Sequence, residues 1–388
     1  MRKNVVRLGI ASLFMDVSGE MVRPIYPVIL TRGLGAGAEY LGFLEALAEV
    51  VEHALKVGCG VLSDRVRKRR IFVWVGYLLA ALSRFILFAA AAPSHILAFR
   101  VADRAGKGVR ASPRDAMLSE ASGTAERGAA FGVHRALDTA GAFLGPLLGA
   151  VLLLALTTRE VVLFSVLPAF ASVLVVVLWV KPSRRMVTHR KAAEAEGDKK
   201  GFGVLLFVMA VFGFARVAQT FYILRALQFR VTQSEMLLLW TLFNAVYAGM
   251  SVPVGRAADR FGAWRVVCAA MLVKGVLLVS FAHFLSRGAV VLLFAVYGAY
   301  HASYDGPVRA LVAERARLGR GGAFAAFYLT AGGAALVSNI LFGTIWQRIS
   351  AKFAFSYAAL FACAAALLMA LLAKSRFWVD HPTVKQEN

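Results

Sequence analysis

Two rows of charged residues run along apolar segments of this 388-residue sequence, each at the spacing of one helix face. Asp16, Glu20 and Arg23 are four and three residues apart, so a helix places them in one row. The second row, spaced by four, three and four residues, comprises Glu45, Glu49, Glu52 and Lys56. Further along, His134 and Asp138 are four residues apart, and an imidazole titrates near neutral pH. Carboxyl and imidazole groups are the side chains that most readily carry protons.

Charges in segments this apolar are costly to expose to lipid, so both rows are expected to face the interior between helices. One explanation is a set of internal ion pairs, such as Glu20 with Arg23 or Glu52 with Lys56, that only hold helices together. That explanation leaves Asp16, Glu45 and Glu49 without an obvious basic neighbour in their own helix. A buried carboxyl without a basic partner favours its protonated form, which suits a proton carrier. We therefore predict proton binding at these acids.

The segment 99–150 combines interior charges with small residues. Arg100 and Asp103 are three apart on one helix face, where they form either a structural ion pair or part of a proton-coupling site. A basic turn is then expected to hold Lys107, Arg110 and Arg114, and a second helix to carry His134, Arg135 and Asp138. Because charges in apolar spans usually face a polar cavity or a partner, this segment is predicted to line a pathway through a membrane.

The second half of the sequence carries interior charges of a different sign. Its apolar segments contain Arg216, Gln219, Arg225, Lys274, His301, Asp305 and Arg309. The first half is thus expected to be acidic and to face a more basic second half. We predict that protons bind in the first half, and that an anionic or zwitterionic group of the substrate binds in the second half, near Arg216. The first half also contains side chains that could bind a metal ion, namely Asp16, Glu20, Glu45, Glu49 and His134. No local spacing among them requires a metal.

The composition is that of a membrane protein: 59% of the residues are hydrophobic and the mean hydropathy is +0.67. Apolar runs of about 20 residues, each long enough to cross a bilayer, follow one another along the chain. We predict an all-α integral membrane protein with twelve transmembrane helices. Their expected positions are about 5–30, 40–62, 71–92, 96–117, 128–156, 160–180, 202–227, 236–257, 266–285, 289–312, 322–347 and 353–373.

The formal net charge of +22 reflects the distribution of basic residues across the membrane. When alternate connections are counted, about thirty Lys and Arg fall on one side and about six on the other, which is the positive-inside pattern. This distribution argues against a nucleic-acid partner. It predicts a multi-pass protein of the bacterial cytoplasmic (inner) membrane with both termini in the cytoplasm.

Internal repetition divides the chain into two six-helix bundles. The stretch from Gly60 to Arg65 recurs from Gly255 to Arg260, 195 residues later, and two further landmarks recur in the same order at offsets of 194 and 193. Internal repeats around a central site are typical of secondary transporters. The predicted parts are an N-terminal bundle at 1–180, a cytoplasmic linker at 181–201, a C-terminal bundle at 202–374 and a cytoplasmic tail at 375–388.

Over nearly its whole length the chain resembles the major facilitator superfamily (MFS) of transporters. The family's loop after helix 2 has the form G-x-x-x-D-R-x-G-R-[KR]. This gating motif stands here as Gly60, Asp64 and Arg65, with Asp259 and Arg260 as the second-half counterparts. The sequence departs from the pattern at Arg67, near the usual second glycine. The resemblance implies that Asp64 latches the seam between the halves in one of two alternating states.

Two further elements carry the resemblance. The family's helix-4 pattern R-x-x-x-G-x-G, associated with proton coupling, matches from Arg100 to Gly106 except at Arg104. Its helix-5 pattern G-x-x-x-G-P-x-x-G-G matches here as Gly141, Gly145, Pro146 and Gly149, with only the last glycine changed. These glycines form a ridge that permits tight helix packing, and the proline bends the helix. The element resembles that of exporters that exchange substrate for protons.

The predicted function is therefore secondary active transport by alternating access: proton-coupled export of a small molecule, with the proton as coupling ion and no other cofactor. The partners are the small-molecule substrate and the lipid bilayer, and the chain is expected to act as a monomer. One alternative is a transporter of a metal ion or metal chelate on the same fold. Another is a membrane sensor or scaffold that transports nothing. An enzyme is not expected, because the sequence lacks a nucleophile elbow, a phosphate-binding loop and a metal triad.

Overall fold

The computed structural model describes residues 2–122, 127–181, 199–284, 286–315 and 320–374. Nearly all of these described residues are helical, and none forms a β-strand. Outside the described residues lie most of the predicted linker and the predicted tail, 182–198 and 375–388.

The described part contains twelve helical elements when an interrupted helix is counted once, in agreement with the predicted number and order. Those of the first half are α1 Arg2–Val22, α2 Ala38–Val66, α3 Arg69–Phe88, α4 Pro93–Ala121, α5 Arg127–Leu152 and α6 Thr158–Trp179. Those of the second half are α7 Lys199–Gly213 continued by Gln219–Leu227, α8 Gln233–Phe261, α9 Ala263–His283, α10 Arg287–Arg315, α11 Arg320–Arg348 and α12 Ala351–Lys374.

The prediction of one continuous first helix is wrong. α1 ends at Val22, and the chain continues as the short helix Tyr26–Val28 and the π-helical turn Ile29–Gly33. Pro24 lies two residues after the end of α1, and a proline supplies no backbone N–H to continue the helix.

The seventh helix is also interrupted, where a single span is predicted. Two side chains of α11 bind backbone groups in the break: Asn339 Oδ1 accepts from the Ala218 N–H at 2.8 Å, and the Ser338 hydroxyl donates to the Phe214 carbonyl at 2.7 Å. Non-helical backbone inside a membrane requires such internal partners, because lipid offers none.

Seven helices of the described part are long and apolar enough to cross a membrane by length and composition: α3, α5, α6, α8, α9, α11 and α12. α1, α2, α4 and α10 are not among these seven, because they contribute the interior charges described below. The apolar segment of α7 before its break, Gly201–Gly213, is short. Hydropathy alone therefore underestimates the number of spans.

The turns after α2 and α8 are equivalent in the repeat, and each contains one residue with a positive φ. Gly262 has φ +90 and Arg67, 195 residues earlier, has φ +58. A positive φ is natural for glycine and costs roughly 1–2 kcal/mol for a residue with a side chain. The missing second glycine of the first-half motif thus leaves Arg67 in a strained conformation.

The halves touch at the end of the bundle opposite the start of α1, which we call the far end. Here α2 crosses α11 at a pair of glycines. A Cβ on Gly42 would lie 2.3 Å from the Asn339 carbonyl oxygen, and one on Gly343 would lie 2.5 Å from the Ala38 carbonyl oxygen. The backbones of the two halves are therefore in direct contact at this crossing.

Polar contacts between the halves are also concentrated at the far end. At the far end, Arg32 donates to the Leu227 carbonyl at 2.7 Å, and Thr158 Oγ1 donates to Gln233 at 2.9 Å. Toward the opposite end, which we call the near end, the last hydrogen bond between the halves among the described residues joins Arg135 and Tyr247. The bundle is closed at the far end and separates toward the near end.

We predict that Arg67→Gly is more stable than Arg67→Ala by about 1 kcal/mol. Both changes remove the same charge, but only glycine relieves the positive φ. Thermal unfolding of the purified protein in detergent measures the difference. Equal melting temperatures would show that the turn is not strained.

Gly343→Ala should shift the protein away from the far-end-closed state by about 5- to 150-fold, since overpacking costs about 1–3 kcal/mol. Gly333→Ala on the same helix is the matched control, because a Cβ there meets nothing within 4 Å. Distances between spin labels on the exposed near ends of α2 and α8 report the shift. Identical distance distributions for the two variants would contradict the prediction.

Candidate functional site

A polar cavity lies between the two halves. It consists of two connected hollows of about 280 and 360 Å³. They share the lining residues Arg23, Arg104, Gln219, His301 and Asp305. More than half of the residues that line the larger hollow are Asp, Glu, Lys or Arg. The predicted rows of charge thus face a cavity shared by both halves rather than lipid.

Glu45 and Arg100 form a buried ion pair in this cavity, with Arg100 Nη2 2.8 Å from Glu45 Oε2. The Arg100 guanidinium lies over the ring of Tyr26, whose hydroxyl donates to Glu45 Oε1. Thr220 of α7 approaches the same oxygen at 3.5 Å. The basic partner that Glu45 lacks within α2 is therefore supplied by α4.

Asp103 is held by two arginines. Arg84 Nη2 lies 2.9 Å from Asp103 Oδ1, and Arg100 Nη1 lies 3.6 Å from Oδ2, so the predicted Arg100–Asp103 neighbours do meet. Arg84 also donates to the Ser18 hydroxyl at 3.1 Å and is only 1% exposed. Arg84 is not among the predicted site residues. Its one sequence signal is an arginine inside the otherwise apolar span of α3.

Glu52 pairs with residues of α4 rather than with Lys56 of its own helix. Arg104 Nη1 lies 2.7 Å and Lys107 Nζ 3.5 Å from its two carboxylate oxygens. Lys56 instead lies over the ring of Tyr328 on α11. Same-helix spacing therefore identifies the wrong partner for this acid.

Glu20 and Arg23 form the expected ion pair at 2.8 Å, and each also contacts the second half. Trp240 Nε1 of α8 donates to Glu20 Oε2 at 2.8 Å, and Arg23 Nη1 donates to Gln219 Oε1 at 2.7 Å. The row on α1 is thus part of the contact between the halves.

Asp16 and Asp138 face one another across the crossing of α1 and α5, with their carboxyl groups in hydrogen-bonding range. The predicted glycine ridge creates this contact. A Cβ on Gly141 would lie 2.4 Å from the Leu13 carbonyl oxygen and 3.1 Å from the Asp16 Cβ. Within the described residues, Asp16 forms no ion pair with a base. Two carboxyls in such contact form a hydrogen bond only when one of them carries a proton.

The rest of the ridge continues the same packing. A Cβ on Gly145 would lie 2.4 Å from the Val17 carbonyl oxygen, and one on Gly149 would lie 3.1 Å from Met21 Cγ. Pro146 lies between them inside α5. The helix-5 motif therefore packs along the helix that carries Asp16.

His134 lies one turn before Asp138 but binds elsewhere. Its Nε2 is 3.0 Å from the Ser12 hydroxyl, which also accepts from Arg114 at 3.0 Å and contacts the Tyr77 hydroxyl at 3.0 Å. The histidine is buried, at 5% exposure. The spacing of four residues places His134 on the expected helix face, but its hydrogen-bond partner is Ser12 rather than Asp138.

Glu49 and Arg216 line the cavity from opposite halves, and neither forms an ion pair within the described part of the chain. Lys274 lies close to Arg216 and is 2% exposed. Its Nζ donates to the Tyr222 hydroxyl at 2.6 Å and lies within 5.0 Å of three tyrosine ring centres. The second half thus brings two cations together without a contacting carboxylate.

The gating-motif residues lie at the near end and do not bridge the halves. Asp64 accepts from Arg69 of its own half at 2.6 Å, and its side chain is half exposed. Arg65, Asp259 and Arg260 are exposed, and Gly60 packs against Ser112 of α4. The latch that the resemblance implies across the seam is not formed in this conformation.

Two expectations about charge are wrong. The predicted basic turn is part of the continuous helix α4, so Lys107, Arg110 and Arg114 project from a helix into the cavity. The first half is also not acidic. Its cavity wall contains seven acids and eight bases, because α3, α4 and α5 supply arginines in addition to the rows on α1 and α2.

Comparison with known proteins identifies the family. The sequence profile described as Major Facilitator Superfamily matches residues 8–224. An MFS-type transporter of Methanocaldococcus jannaschii is 33% identical over 380 residues, 95% of this chain and 94% of that protein. A protein of Mycobacterium tuberculosis is 36% identical over 145 residues, 37% of this chain and 35% of that protein.

Solved transporter structures share the fold. The nucleoside transporter NupG is similar with a TM-score of 0.77 at 12% identity, covering 96% of this chain and 99% of that one. A POT family transporter in complex with 5-aminolevulinic acid gives 0.80 at 10% identity, covering 95% and 96%. A D-xylose–proton symporter gives 0.72 at 17% identity, covering 94% and 95%. The predicted all-α membrane fold of two six-helix bundles is confirmed.

Gly141→Ala should lower the melting temperature and separate Asp16 from Asp138, because its Cβ would collide with the backbone of α1 at a cost of about 1–3 kcal/mol. Gly132→Ala on the same helix is the control, since a Cβ there meets nothing within 4 Å. Thermal unfolding measures the stability, and the infrared absorption of a protonated carboxyl measures the contact. Equal behaviour of the two variants would contradict the proposed packing role.

Proposed function

This chain belongs to the major facilitator superfamily of membrane transporters, and from that premise we propose that it is a proton-coupled exporter of a small, hydrophilic molecule. It is a multi-pass membrane protein and not an enzyme. One chain suffices for this function, because both walls of the cavity come from the same polypeptide.

The observation that carries the proposal is the contact between Asp16 and Asp138 in the cavity wall. A carboxyl pair that shares one proton is a site where a proton binds and leaves without a metal or other cofactor. The other first-half acids Glu45, Glu52 and Asp103 are already held by bases. Among the predicted proton-binding acids this leaves the pair and Glu49, which forms no ion pair in the described part of the chain, and the direct contact between Asp16 and Asp138 favours the pair.

Alternating access follows from the closed far end and the separated near end. The positive-inside pattern supports a cytoplasmic near end, which makes this the inward-open state. In the outward-open state the gating motifs around Asp64 and Asp259 would meet across the seam. A proton can bias the two states only by binding them with different affinity.

The direction of transport rests on the ridge formed by Gly141, Gly145 and Gly149, which resembles that of proton-exchanging exporters. In an exchange of this kind the substrate and the proton must bind in competition, so that each leaves as the other arrives. The contact of the ridge with α1 places this motif directly at the proposed proton site.

The cavity favours a small charged solute. Its two connected hollows, of about 280 and 360 Å³, together lie in the lower to middle part of the usual range of ligand pockets, about 300–1,000 Å³, and its wall is charged rather than apolar. Arg216 and Lys274 support an anionic group on the substrate. In the described part of the chain no three His, Cys, Asp or Glu side chains form a metal site, and no specific observation favours a metal cargo.

Asp16→Asn should abolish proton exchange, because an amide carries no titrating proton. Inverted membrane vesicles acidified by respiration and containing a pH-sensitive dye provide the measurement. Anionic, cationic and zwitterionic solutes and divalent metals are added one at a time. We expect at least one class to dissipate the pH gradient with the wild type but not with Asp16→Asn.

The matched control is Glu160→Gln at the exposed start of α6, because glutamine also completes a capping box. It should behave as the wild type does. Proton exchange by Asp16→Asn equal to that of the wild type, or no response to any solute by the wild type, would refute the proposal.

A further inference from the structure

Arg110 of α4 is a buried cation without a matching anion. The residue is 7% exposed and lines the larger hollow. Its guanidinium lies over the ring of Tyr77, with 4.8 Å between its central carbon and the ring centre. Within the described residues, Nε and Nη1 are buried and have no hydrogen-bond partner. An arginine buried in a membrane protein normally has both its charge and its N–H groups satisfied.

The acids nearest to Arg110 are already engaged. Asp103 is bound by Arg84 and Arg100. Asp16 lies within electrostatic range of Arg110 but contacts Asp138 instead. The cavity therefore contains an unsatisfied guanidinium next to a carboxyl pair.

We propose that Arg110 binds the carboxylate of a compact zwitterion of the α-amino acid type, while Asp16 and Asp138 bind its ammonium group in place of their proton. This inference rests on the proposed function, whose substrate class it specifies. No covalent bond is made or broken in the substrate. The shared proton leaves the carboxyl pair for cavity water as the ammonium arrives.

The arrangement matches such a head group because a guanidinium and a pair of carboxyl groups line the same hollow. A guanidinium binds a carboxylate through two parallel N–H groups, and a pair of carboxylates accepts the hydrogen bonds of an ammonium. An anion alone would leave the proton in place, and a cation alone would leave Arg110 unsatisfied. Competition between the ammonium and the proton also gives the coupling sign that exchange requires.

The groups around the carboxyl pair determine how readily the proton leaves. Those that face it are Glu20 on α1, Arg110, Lys107 and Arg114 on α4, and His134 and Arg135 on α5. Most of these are cations, which favour the ionised pair and so assist proton release on binding.

The test uses the full-length protein in lipid nanodiscs in weak buffer with a pH indicator. Each of the twenty L-α-amino acids is added singly. Every one that binds is compared with its decarboxylated amine and its deaminated acid. Melting temperature reports binding, and the indicator reports protons released. We expect at least one amino acid to bind with release of about one proton, and both analogues to bind at least about tenfold more weakly.

Arg110→Gln should weaken amino-acid binding at least about tenfold without changing the affinity for the amine, and Arg110→Lys should recover part of the loss. Arg256→Gln, at an exposed position of α8, is the control and should bind as the wild type does. The comparison of analogues on the wild type needs no variant, so it remains decisive if Arg110→Gln fails to fold.

The outcomes separate this inference from the function on which it rests. Binding that depends on Arg110 but releases no proton would support the zwitterion site and refute proton coupling at Asp16 and Asp138. Failure of all twenty amino acids to bind, or equal binding of the analogues, would overturn the inference. A third outcome would also overturn the inference: Arg110→Gln changes the proton titration of the substrate-free protein but leaves its affinity for amino acids unchanged. Arg110 would then be only a counter-ion of the carboxyl pair.

Discussion

The matching of charge inside a bilayer is the constraint on which the interior of this protein depends. Because lipid solvates no charge, each buried acid is either paired with a base or neutral. Glu45, Glu52 and Asp103 meet this requirement with arginines supplied by α3 and α4. Asp16 and Asp138 differ, because they face one another and neither forms an ion pair with a base within the described residues, and this difference is the basis on which we propose them as the proton site.

The spacing of residues in the sequence was sufficient to place the charges on interior faces. The helical spacing of the charged residues and the hydropathy of their neighbours identify which side of a helix avoids lipid. Both can be read from a short stretch of sequence. The partner of each charge is not local: Glu52 pairs with Arg104 rather than Lys56, and Arg84 meets Asp103 from another helix. Such pairs depend on how the helices cross one another. The spacing of residues within one helix does not reveal those crossings. This is why the rows and the pairs within one helix, such as Glu20 with Arg23, were predictable and the pairs between helices were not.

The interruptions of α1 and α7 show the same division between local and non-local information. Pro24 is a visible local reason for the end of α1. The break after Gly213 has no such signal, because its backbone groups are satisfied by Ser338 and Asn339 of α11. Only the packed structure provides those partners, so a hydropathy pattern continues smoothly through the break.

If Asp16 binds the coupling proton as proposed, its position on α1 explains how protonation influences the distant closure of the bundle. Asp16 and Glu20 lie on one face of α1, and Arg23 follows its last residue with its N–H bonded to the Gly19 carbonyl, so the three span about 10 Å at a rise of about 1.5 Å per residue. Glu20 and Arg23 hold the second half through Trp240 and Gln219. Any movement of α1 that accompanies a change of charge at Asp16 is therefore transmitted to these contacts, since a helix moves as a unit. A proton site on a helix without contacts to the second half would lack this mechanical connection, whatever its chemistry.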